Sequence, residues 1–423
     1  MHLNNIIEFF VELVKSFIIL IQYILVPLFI YQFVISIFGW FKRKEKEPDN
    51  CIPNNRFAVI VAAYNEEKVI GNIVNNLKSL NYPKDKYDIF VVADNCDDNT
   101  AKIAQQNGAT VYERFDKTKK GKGYALEWMF EKILKSDNKY DAVCIFDADN
   151  LVSKNFLTEM DKHICKGHKV IQGYLDSKNP LDSLISASYS ISYWLSNRLF
   201  QLARYYLGLS CEIGGTGFVI ATDVLKEIGW GATCLTEDLE FTIKLVLRGQ
   251  KVYWADKAVV YDEKPVTLSQ SWRQRKRWMQ GQADCACRYI KSLLYKFIKD
   301  KDIVALDCAL YVIQPMLFVL GGILLFLNLL KLISLHNFNN LFDLKILESV
   351  ILFLTSTYIS IIFLFAEKKN SFKIILYFFL IPLYNLTWIP IIIQGYIDKN
   401  KRDWVHTIHT KALDISDIEN IKY

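Results

Sequence analysis

Residues 142–150 read AVCIFDADN, an apolar run that ends in two aspartates one residue apart. A short, continuously apolar run is typical of a buried parallel β-strand, which has side chains packed on both faces. Asp147 and Asp149 then stand at the carboxyl end of this strand. Because ligands of open α/β sheets bind beyond the carboxyl ends of the strands, this stretch predicts an α/β domain with a site beside the two carboxylates.

Four further runs repeat the pattern between residues 56 and 260, and helical stretches separate them: 57–62, 88–93, 109–112 and 170–174. This alternation predicts a mostly parallel sheet flanked by helices. The first two runs also end in polar clusters, which we expect at the same site; among their residues we assign Ala63, Tyr64, Glu66 and Asp94 to ligand binding. No GxGxxG follows the first run, which argues against a dinucleotide cofactor.

The composition indicates that part of the chain lies in a membrane. The 423 residues are 52% apolar and 14% aromatic, with a mean hydropathy of +0.12. Residues 16–41 carry no charge, and at about 1.5 Å per residue such a helix exceeds the roughly 30 Å hydrocarbon core. Acidic residues precede it and Lys42, Arg43 and Lys44 follow it, so it is expected to be an uncleaved anchor with residues 50–300 in the cytosol.

Three more apolar runs, 308–330, 349–366 and 374–397, bring the expected number of spans to about four. Counting crossings puts the C-terminal tail outside, whereas Lys399, Lys401 and Arg402 favour the inside. Pro382, Asn385 and Pro390 could break the last run into a re-entrant or bent pair. We expect a cytosolic tail.

Charge and cysteine content exclude other classes of protein. The net charge of +6 is smaller than a polybasic nucleic-acid binder carries, so we expect no nucleic acid as partner. The nine cysteines include no CxxC pair, which excludes a disulfide framework or a four-cysteine zinc site. The polar part of the chain is therefore expected to be reduced and cytosolic.

Several polar residues are candidates for binding a diphosphate. Asp147 and Asp149 are hard oxygen ligands suited to Mg²⁺ or Mn²⁺, although a solvated turn would also carry them. Lys122 lies at a predicted helix start and either pairs with a phosphate or is plain surface charge. Asp94 either contacts the ligand or forms an Asx turn that opens the next helix.

Two motifs follow further along the chain. Thr236-Glu237-Asp238 introduces an amphipathic helix; it either caps that helix or offers a carboxylate as general base. In RQRKRW, residues 273–278, Arg275 and Arg277 are a candidate fork for a diphosphate and Trp278 a stacking surface, with lipid headgroup contact as the alternative. Amphipathic stretches at 181–206 and 279–297 are predicted to lie on the membrane surface.

Taken in order, these motifs resemble those of the processive family 2 glycosyltransferases, the membrane synthases of cellulose, chitin and hyaluronan. The series is Asp94, Asp147-x-Asp149, Thr236-Glu237-Asp238 and Gln274-Arg275-x-Arg277-Trp278. The resemblance covers residues 55–290 and the flanking spans. It implies a nucleotide-sugar-binding domain of the GT-A type, an α/β fold, inserted between transmembrane helices with amphipathic interface helices.

The resemblance also implies roles for single residues. Asp94 and Lys122 would contact the uridine diphosphate, Asp149 with Asp147 would hold the metal, and Asp238 would be the catalytic base. Gln274, Arg275, Arg277 and Trp278 would close over the diphosphate and the acceptor sugar, and we place Glu237 and Gly215 on the acceptor side. The cysteine-glycine acceptor motif of cellulose synthases is not matched in residues 211–217, and the gating-loop motif is absent.

The resemblance implies a UDP-sugar donor, Mg²⁺ or Mn²⁺, and an enzyme of the plasma membrane that crosses it several times. Its expected partners are UDP-glucose or UDP-GlcNAc, the growing polysaccharide and the lipid bilayer. Three activities stay open: a processive synthase, favoured as a β-glucan synthase of possibly mixed 1,3 and 1,4 linkage; a non-processive glycolipid transferase; and a silent polysaccharide-binding subunit. An N-acetylglucosamine polymer is the alternative product.

The expected division of the chain has five parts. They are an anchor at 1–45, the cytosolic glycosyltransferase domain at 50–265, the motif and interface helix at 266–300, transmembrane helices forming a channel at 301–398, and the tail at 399–423.

Overall fold

The computed structural model describes residues 2–44, 53–231, 233–333, 364–365, 367, 369, 371–401 and 411–419. The strands are β1 Phe57–Ala63, β2 Tyr87–Asp94, β3 Thr110–Arg114, β4 Ala142–Asp147, β5 Leu151–Val152, β6 Val170–Ser177, β7 Phe218–Ala221 and β8 Tyr253–Asp262. The helices are α1 His2–Ile37, α2 Ile70–Lys78, α3 Thr100–Gln106, α4 Lys122–Lys135, α5 Phe156–Cys165, α6 Leu184–Ser196, α7 Ala203–Leu207, α8 Thr222–Ile228, α9 Glu237–Leu247, α10 Leu268–Asp300, α11 Ile303–Ile333, α12 Phe372–Leu386, α13 Trp388–Ile397 and α14 Ile415–Glu419.

The eight strands form one sheet in the order β3-β2-β1-β4-β7-β6-β8-β5. All five predicted strands are present, and β1, β2, β3 and β4 are parallel to one another. The expectation of a mostly parallel sheet is confirmed, because six of the eight strands run in the same direction; β7 runs antiparallel to both of its neighbours and β5 antiparallel to β8. The domain is therefore an α/β fold with a mixed sheet.

Helices cover both faces of this sheet. Alternate residues of β1 belong to two separate cores: Ala58 and Ile60 pack in one, and Phe57, Val59 and Val61 in the other. A strand buried on both faces cannot alternate apolar and polar residues, which explains its continuous apolar sequence. The sheet is thus rigid where its carboxyl ends carry the polar clusters.

Three helical segments are long and apolar enough to cross a membrane in the described part of the chain: Ile19–Ile37, Ile303–Leu324 and Phe372–Ile397. The expected span at 349–366 lies almost wholly outside the described residues. The last segment is broken, since α12 ends at Leu386 and α13 begins at Trp388. Pro390 explains the break, because its ring would clash with the carbonyl of Leu386 in a continuous helix.

Both ends of the α12–α13 pair contact the domain that contains the sheet or the helix α10 that follows it. Just before α12, Lys369 forms a 3.0 Å ion pair with Asp176 of β6. Just after α13, Asp398 pairs with Lys276 of α10. Both ends of this segment therefore contact the same part of the protein, and the number of times that the segment crosses a membrane stays a prediction.

The C-terminal residues 411–419 also lie on the domain. The Lys411 ammonium is 2.7 Å from an Asp182 carboxylate oxygen, and its backbone N–H donates to Glu263 at 3.0 Å. Asn72 of α2 donates to the carbonyl of Leu413. Residues 402–410 are outside the described residues.

The two predicted amphipathic stretches are helical. The first forms α6, a π-helical segment Asn197–Leu202 and α7, and the second is part of α10. Their location on a membrane surface stays a prediction.

Candidate functional site

The centre of the site is a cluster in which the Lys122 ammonium connects Asp147, at the end of β4, with Gly215, which precedes β7. Lys122 is the first residue of α4, and its ammonium contacts the Asp147 carboxylate and donates to the Gly215 carbonyl at 2.6 Å. Burial alone would lower the pKa of Lys122, but Asp147, Glu237 and Asp238 raise it above its ordinary value. Lys122 is therefore a charged member of the site and not a solvated surface lysine.

Gly215 brings the catalytic candidate Asp238 to this cluster. A Cβ atom built on Gly215 would lie 3.1 Å from Asp238 Oδ2, and Gly215 has a φ of +84°. The absence of a side chain thus allows both the turn and the close approach of the carboxylate. Asp147, Lys122, Gly215 and Asp238, predicted from separate motifs, are brought together.

Glu237 and Asp238 open α9, but the alternative of a capping threonine does not hold. Thr236 makes no side-chain capping bond, whereas Asp238 Oδ1 accepts from the N–H of Leu239 at 2.8 Å. Burial raises the pKa of Asp238, and burial together with the Asp238 charge raises that of Glu237 to about 7. A carboxylate with a raised pKa is a stronger base near neutral pH.

Asp149 and its neighbours form a rigid support beside Asp147. Asp149 Oδ2 accepts from the backbone N–H of Glu263 at 2.9 Å, and Asn150 donates to Asp149 Oδ1 at 3.2 Å. Thr216 bonds to Asn150 and accepts from the N–H of Asp147 at 3.1 Å. The DxD turn is thus held from two sides.

Among the described residues, no group of three or more His, Cys, Asp or Glu side chains is arranged to hold a metal ion. Two carboxylates nevertheless fit Mg²⁺ or Mn²⁺, because such ions usually bind one or two carboxylates plus substrate phosphates and water. The chemistry of Asp147 and Asp149 thus matches an ion that arrives with a diphosphate.

Asp94 ends β2 and is held by a residue that the sequence analysis missed. Arg114 Nη1 lies 2.5 Å from Asp94 Oδ1, and both side chains are buried. Burial raises the pKa of Asp94, against the opposing effect of Arg114. The Asx-turn alternative is wrong, because the N–H of Thr100 at the start of α3 binds Asp98.

The loop after β1 is tied to the loop after β2. Asn65, at φ +53°, exchanges hydrogen bonds with Asp97, and the N–H of Glu66 donates to Thr100 Oγ1 at 2.7 Å. Ala63 and Glu66 are buried, and Tyr64 is partly exposed. These residues lie at the expected sheet edge, and their contact with a ligand stays a prediction.

Helix α10 carries the predicted diphosphate fork, and the structure separates its two arginines. Arg277 is close enough to Glu237 and Asp238 to lower the pKa of both. Arg275 is fully buried on another side of the helix, where it donates to Thr387 at 2.9 Å and packs on Tyr384 and Trp388. The fork is not assembled, because residues two apart on a helix face different directions.

Gln274 lies within one turn of both Arg277 and Trp278 on α10, since it precedes them by three and four residues. The Trp278 ring contacts Tyr189 of α6 edge-on, with 5.9 Å between centroids. The side-chain Oε1 of Gln274 is buried and has no hydrogen-bond partner among the described residues. Their contacts with an acceptor sugar stay a prediction.

Two glycine contacts hold α10 between the site and the apolar helices. A Cβ on Gly281 would lie 2.3 Å from Thr236 Oγ1, directly before Glu237. A Cβ on Gly395 of α13 would lie 2.4 Å from the Cβ of Met279. Helix α10 therefore packs closely against the start of α9 on one side and against α13 on the other.

Comparison with known proteins places this geometry in a family. Residues 53–281 match the model described as glycosyltransferase like family 2. A β-monoglucosyldiacylglycerol synthase from Synechocystis sp. is 30% identical over 243 residues, which cover 55% of this chain and 49% of that protein. A poly-β-1,6-N-acetyl-D-glucosamine synthase from Staphylococcus aureus is 27% identical over 265 residues, covering 60% of this chain and 62% of that protein.

A probable glycosyltransferase, YdaM of Bacillus subtilis, is 28% identical and covers 53% of this chain and 55% of that protein. The chain thus spans about half to three fifths of the length of these relatives. The mannosyltransferase PcManGT from Pyrobaculum calidifontis, solved with GDP-Man and Mn²⁺, has a TM-score of 0.57 at 14% identity, with 90% of this chain and 99% of that chain covered. This likeness confirms the GT-A type fold.

Proposed function

Because the chain belongs to the glycosyltransferase-like family 2, we propose that it is a membrane enzyme that extends a β-linked polysaccharide from a UDP-sugar. The observation that carries this proposal is the convergence of Lys122, Asp147, Gly215 and Asp238 in one cluster. A diphosphate needs cations, and an acceptor hydroxyl needs a base; the cluster offers both within one site.

In the proposed reaction, Asp238 takes the proton of the acceptor hydroxyl as its oxygen attacks the anomeric carbon, and UDP departs from the opposite face. A single displacement of this kind inverts the configuration and turns an α-linked donor into a β-linked product. Lys122 and Arg277 stabilise the charge on the departing diphosphate. Asp147 and Asp149 would hold Mg²⁺ or Mn²⁺ with the phosphate oxygens, which neutralises the same charge.

Asp94 lies beside this cluster, since the backbone of Gly121, the residue before Lys122, donates a hydrogen bond to it and opposes the rise of its pKa that burial causes. We assign Asp94 to the uridine part of the donor. The packing of α10 between the site and α13 supports a product path along the apolar helices, with Trp278 at its start.

The enzyme is proposed to reside in the plasma membrane with its catalytic domain in the cytosol. Lys42 and Arg43, which follow α1, support this orientation. The contacts of residues 411–419 with the domain support a cytosolic tail. UDP-glucose is the proposed donor, and UDP-GlcNAc is the alternative that the Staphylococcus aureus relative favours.

A second function, transfer of one sugar to a lipid, is favoured by the similarity to the β-monoglucosyldiacylglycerol synthase. The same donor chemistry serves both functions, and the products differ in length. Only the processive enzyme needs a path for a growing chain.

The deciding experiment incubates the purified protein in lipid nanodiscs with UDP-glucose or UDP-GlcNAc and measures UDP release, product length and digestion by linkage-specific hydrolases. We expect a β-linked polymer from UDP-glucose, no release in EDTA, and recovery with Mg²⁺ or Mn²⁺ but not with Ca²⁺, which prefers more ligands and longer bonds. A monoglycosylated lipid would establish the second function. UDP binding without any release would indicate a silent subunit.

A further inference from the structure

Glu212 lies at the contact between the catalytic domain and the apolar helix α11, in the segment before β7. The Tyr311 hydroxyl of α11 donates to its carboxylate. Gln201 fixes its backbone from both sides: the amide of Gln201 donates to the Glu212 carbonyl, and its oxygen accepts from the Glu212 N–H, each at 3.0 Å. The side chain is therefore held in one place.

The same segment is connected to the proposed base. The N–H of Ile213 donates to Thr242 Oγ1 at 3.2 Å, and that hydroxyl donates to the carbonyl of Asp238 at 2.9 Å. The segment then continues into Gly215, which contacts the Asp238 carboxylate. Glu212 is partly exposed, and its carboxylate lies close enough to Asp238 for the Asp238 charge to act on it.

We propose that Glu212 is an acceptor-binding residue whose protonated carboxyl group donates a hydrogen bond to the acceptor sugar while Asp238 removes the proton of the reacting hydroxyl. The inference rests on the proposed function, because it assigns a partner to the acceptor of that reaction. Tyr311 donates to one oxygen of the carboxyl group, which leaves the O–H of the other oxygen for the sugar.

The electrostatic surroundings support a protonated Glu212. Burial raises its pKa to about 8 and the Asp238 charge adds to this, whereas the Tyr311 hydrogen bond and Arg204 oppose it. The titratable and charged groups facing it are those of Tyr311 and Cys308 on α11, Asp238 on α9, Arg204 on α7 and Tyr193 on α6. A neutral acid beside Asp238 leaves the negative charge on the base, as in other sites where two acids have separate roles.

The test compares pH profiles of kcat/KM for a short β-linked oligosaccharide of the sugar that the enzyme incorporates, in wild type, Glu212→Gln and Tyr311→Phe. Wild type is expected to lose activity above about pH 8, as Glu212 ionises. Glu212→Gln keeps an N–H donor in place of the acid O–H, so it is expected to keep the acceptor KM within about twofold of wild type and to show no such alkaline loss. A further variant, Glu212→Leu, removes the donor and is expected to raise the acceptor KM several-fold while leaving the KM for the UDP-sugar unchanged. Tyr311→Phe removes a hydrogen bond that stabilises the carboxylate, so the loss should move to higher pH.

Glu131→Gln, at an exposed residue of α4, is the matched control and should follow the wild-type profile. UDP binding by each variant shows that the fold is intact. An alkaline loss that persists unchanged in Glu212→Gln, or an unaltered acceptor KM in Glu212→Leu, would overturn the inference while leaving the glycosyltransferase proposal standing. An inactive wild type with every UDP-sugar would instead count against the proposed function.

Discussion

At the scale of single residues, the role of Asp238 can be tested apart from that of its neighbours by replacing its carboxylate with an amide. Asp238→Asn keeps the shape of the side chain but removes the base, so transfer is expected to fall by about 10²- to 10⁴-fold. UDP affinity, measured by titration calorimetry, should stay within about twofold of wild type. The exposed Asp223 of α8 offers the control, since Asp223→Asn removes only a surface ion pair with Lys169. Near-normal turnover in Asp238→Asn would move the base elsewhere.

Arg114 provides a second prediction, for the donor side. Arg114→Met leaves Asp94 buried without its charge partner, a change that typically costs about 3–5 kcal/mol of stability or binding. We therefore expect a lower melting temperature and UDP binding weakened at least tenfold. Adding Asp94→Asn should restore the melting temperature in part but not UDP binding. Equal UDP affinity in Arg114→Met and wild type would exclude the pair from the donor site.

The sequence identified most residues of the central cluster because strand-end carboxylates and a lysine at a helix start are local signals. Arg114 was missed although its position could have revealed it, since in register with β2 it stands level with Asp94. Arg275 was wrongly assigned to the diphosphate fork because the motif was interpreted as a cluster of positive charge. Residues two apart on a helix point in different directions, which separates Arg275 from Arg277. Glu212 carries no local signal, as its surroundings come from α7, α9 and α11.

At the scale of elements, the close packing of α10 against α9 predicts a large effect from a single methyl group. Gly281→Ala places a Cβ 2.8 Å from the backbone nitrogen of Thr236, so the start of α9 must shift and take Asp238 with it. We expect turnover to fall at least tenfold, because an ångström of misplacement can cost about 10² in rate, while UDP binding persists. Gly321→Ala is the matched control, since a Cβ there meets no atom within 4 Å. Equal turnover in the two variants would contradict this role of α10.

The sequence could predict the strands that are buried along their whole length, because such strands are continuously apolar. The five continuously apolar strands were found, whereas β7 has only four residues and β8 contains Asp256 and Lys257 in its middle. The β6–β8 pairing also shifts register between Gly173 and Tyr174, which no local pattern indicates. The prolines predicted a break in the last apolar run. Two prolines lie in this run, and the sequence did not show which of them would place the break at Thr387.

At the scale of the whole molecule, the return of the chain to the catalytic domain predicts the side on which the tail lies. Ala412→Cys, at an exposed position, is introduced into a protein with Cys165→Ser and Cys287→Ser, which remove the two exposed cysteines among the described residues. An impermeant thiol reagent is expected to label this variant only after the membrane is permeabilised. Rapid labelling of intact cells would place the tail outside and restore four simple crossings.

Deletion of residues 403–423 tests what the tail contributes. Lys411 binds Glu263, whose own N–H holds the Asp149 carboxylate, so the tail lies one residue away from the DxD turn. We expect turnover to fall strongly while membrane insertion and UDP binding remain. Lys411→Ala in the full-length chain should reproduce part of the loss. Full synthesis by the truncated protein would show that the tail is dispensable.

The contact between α7 and α11 has a consequence for how the protein is made. Asp307 lies in an apolar segment, where a lone carboxylate is costly to insert. Arg204 donates to it from Nε and Nη2 at 2.8 and 2.9 Å. Arg204 leaves the ribosome 103 residues earlier, or about 5–20 s before Asp307 at ordinary rates of translation. Arg204 is thus already synthesised when α11 emerges, and we expect it to be available to neutralise Asp307 while that helix enters the membrane.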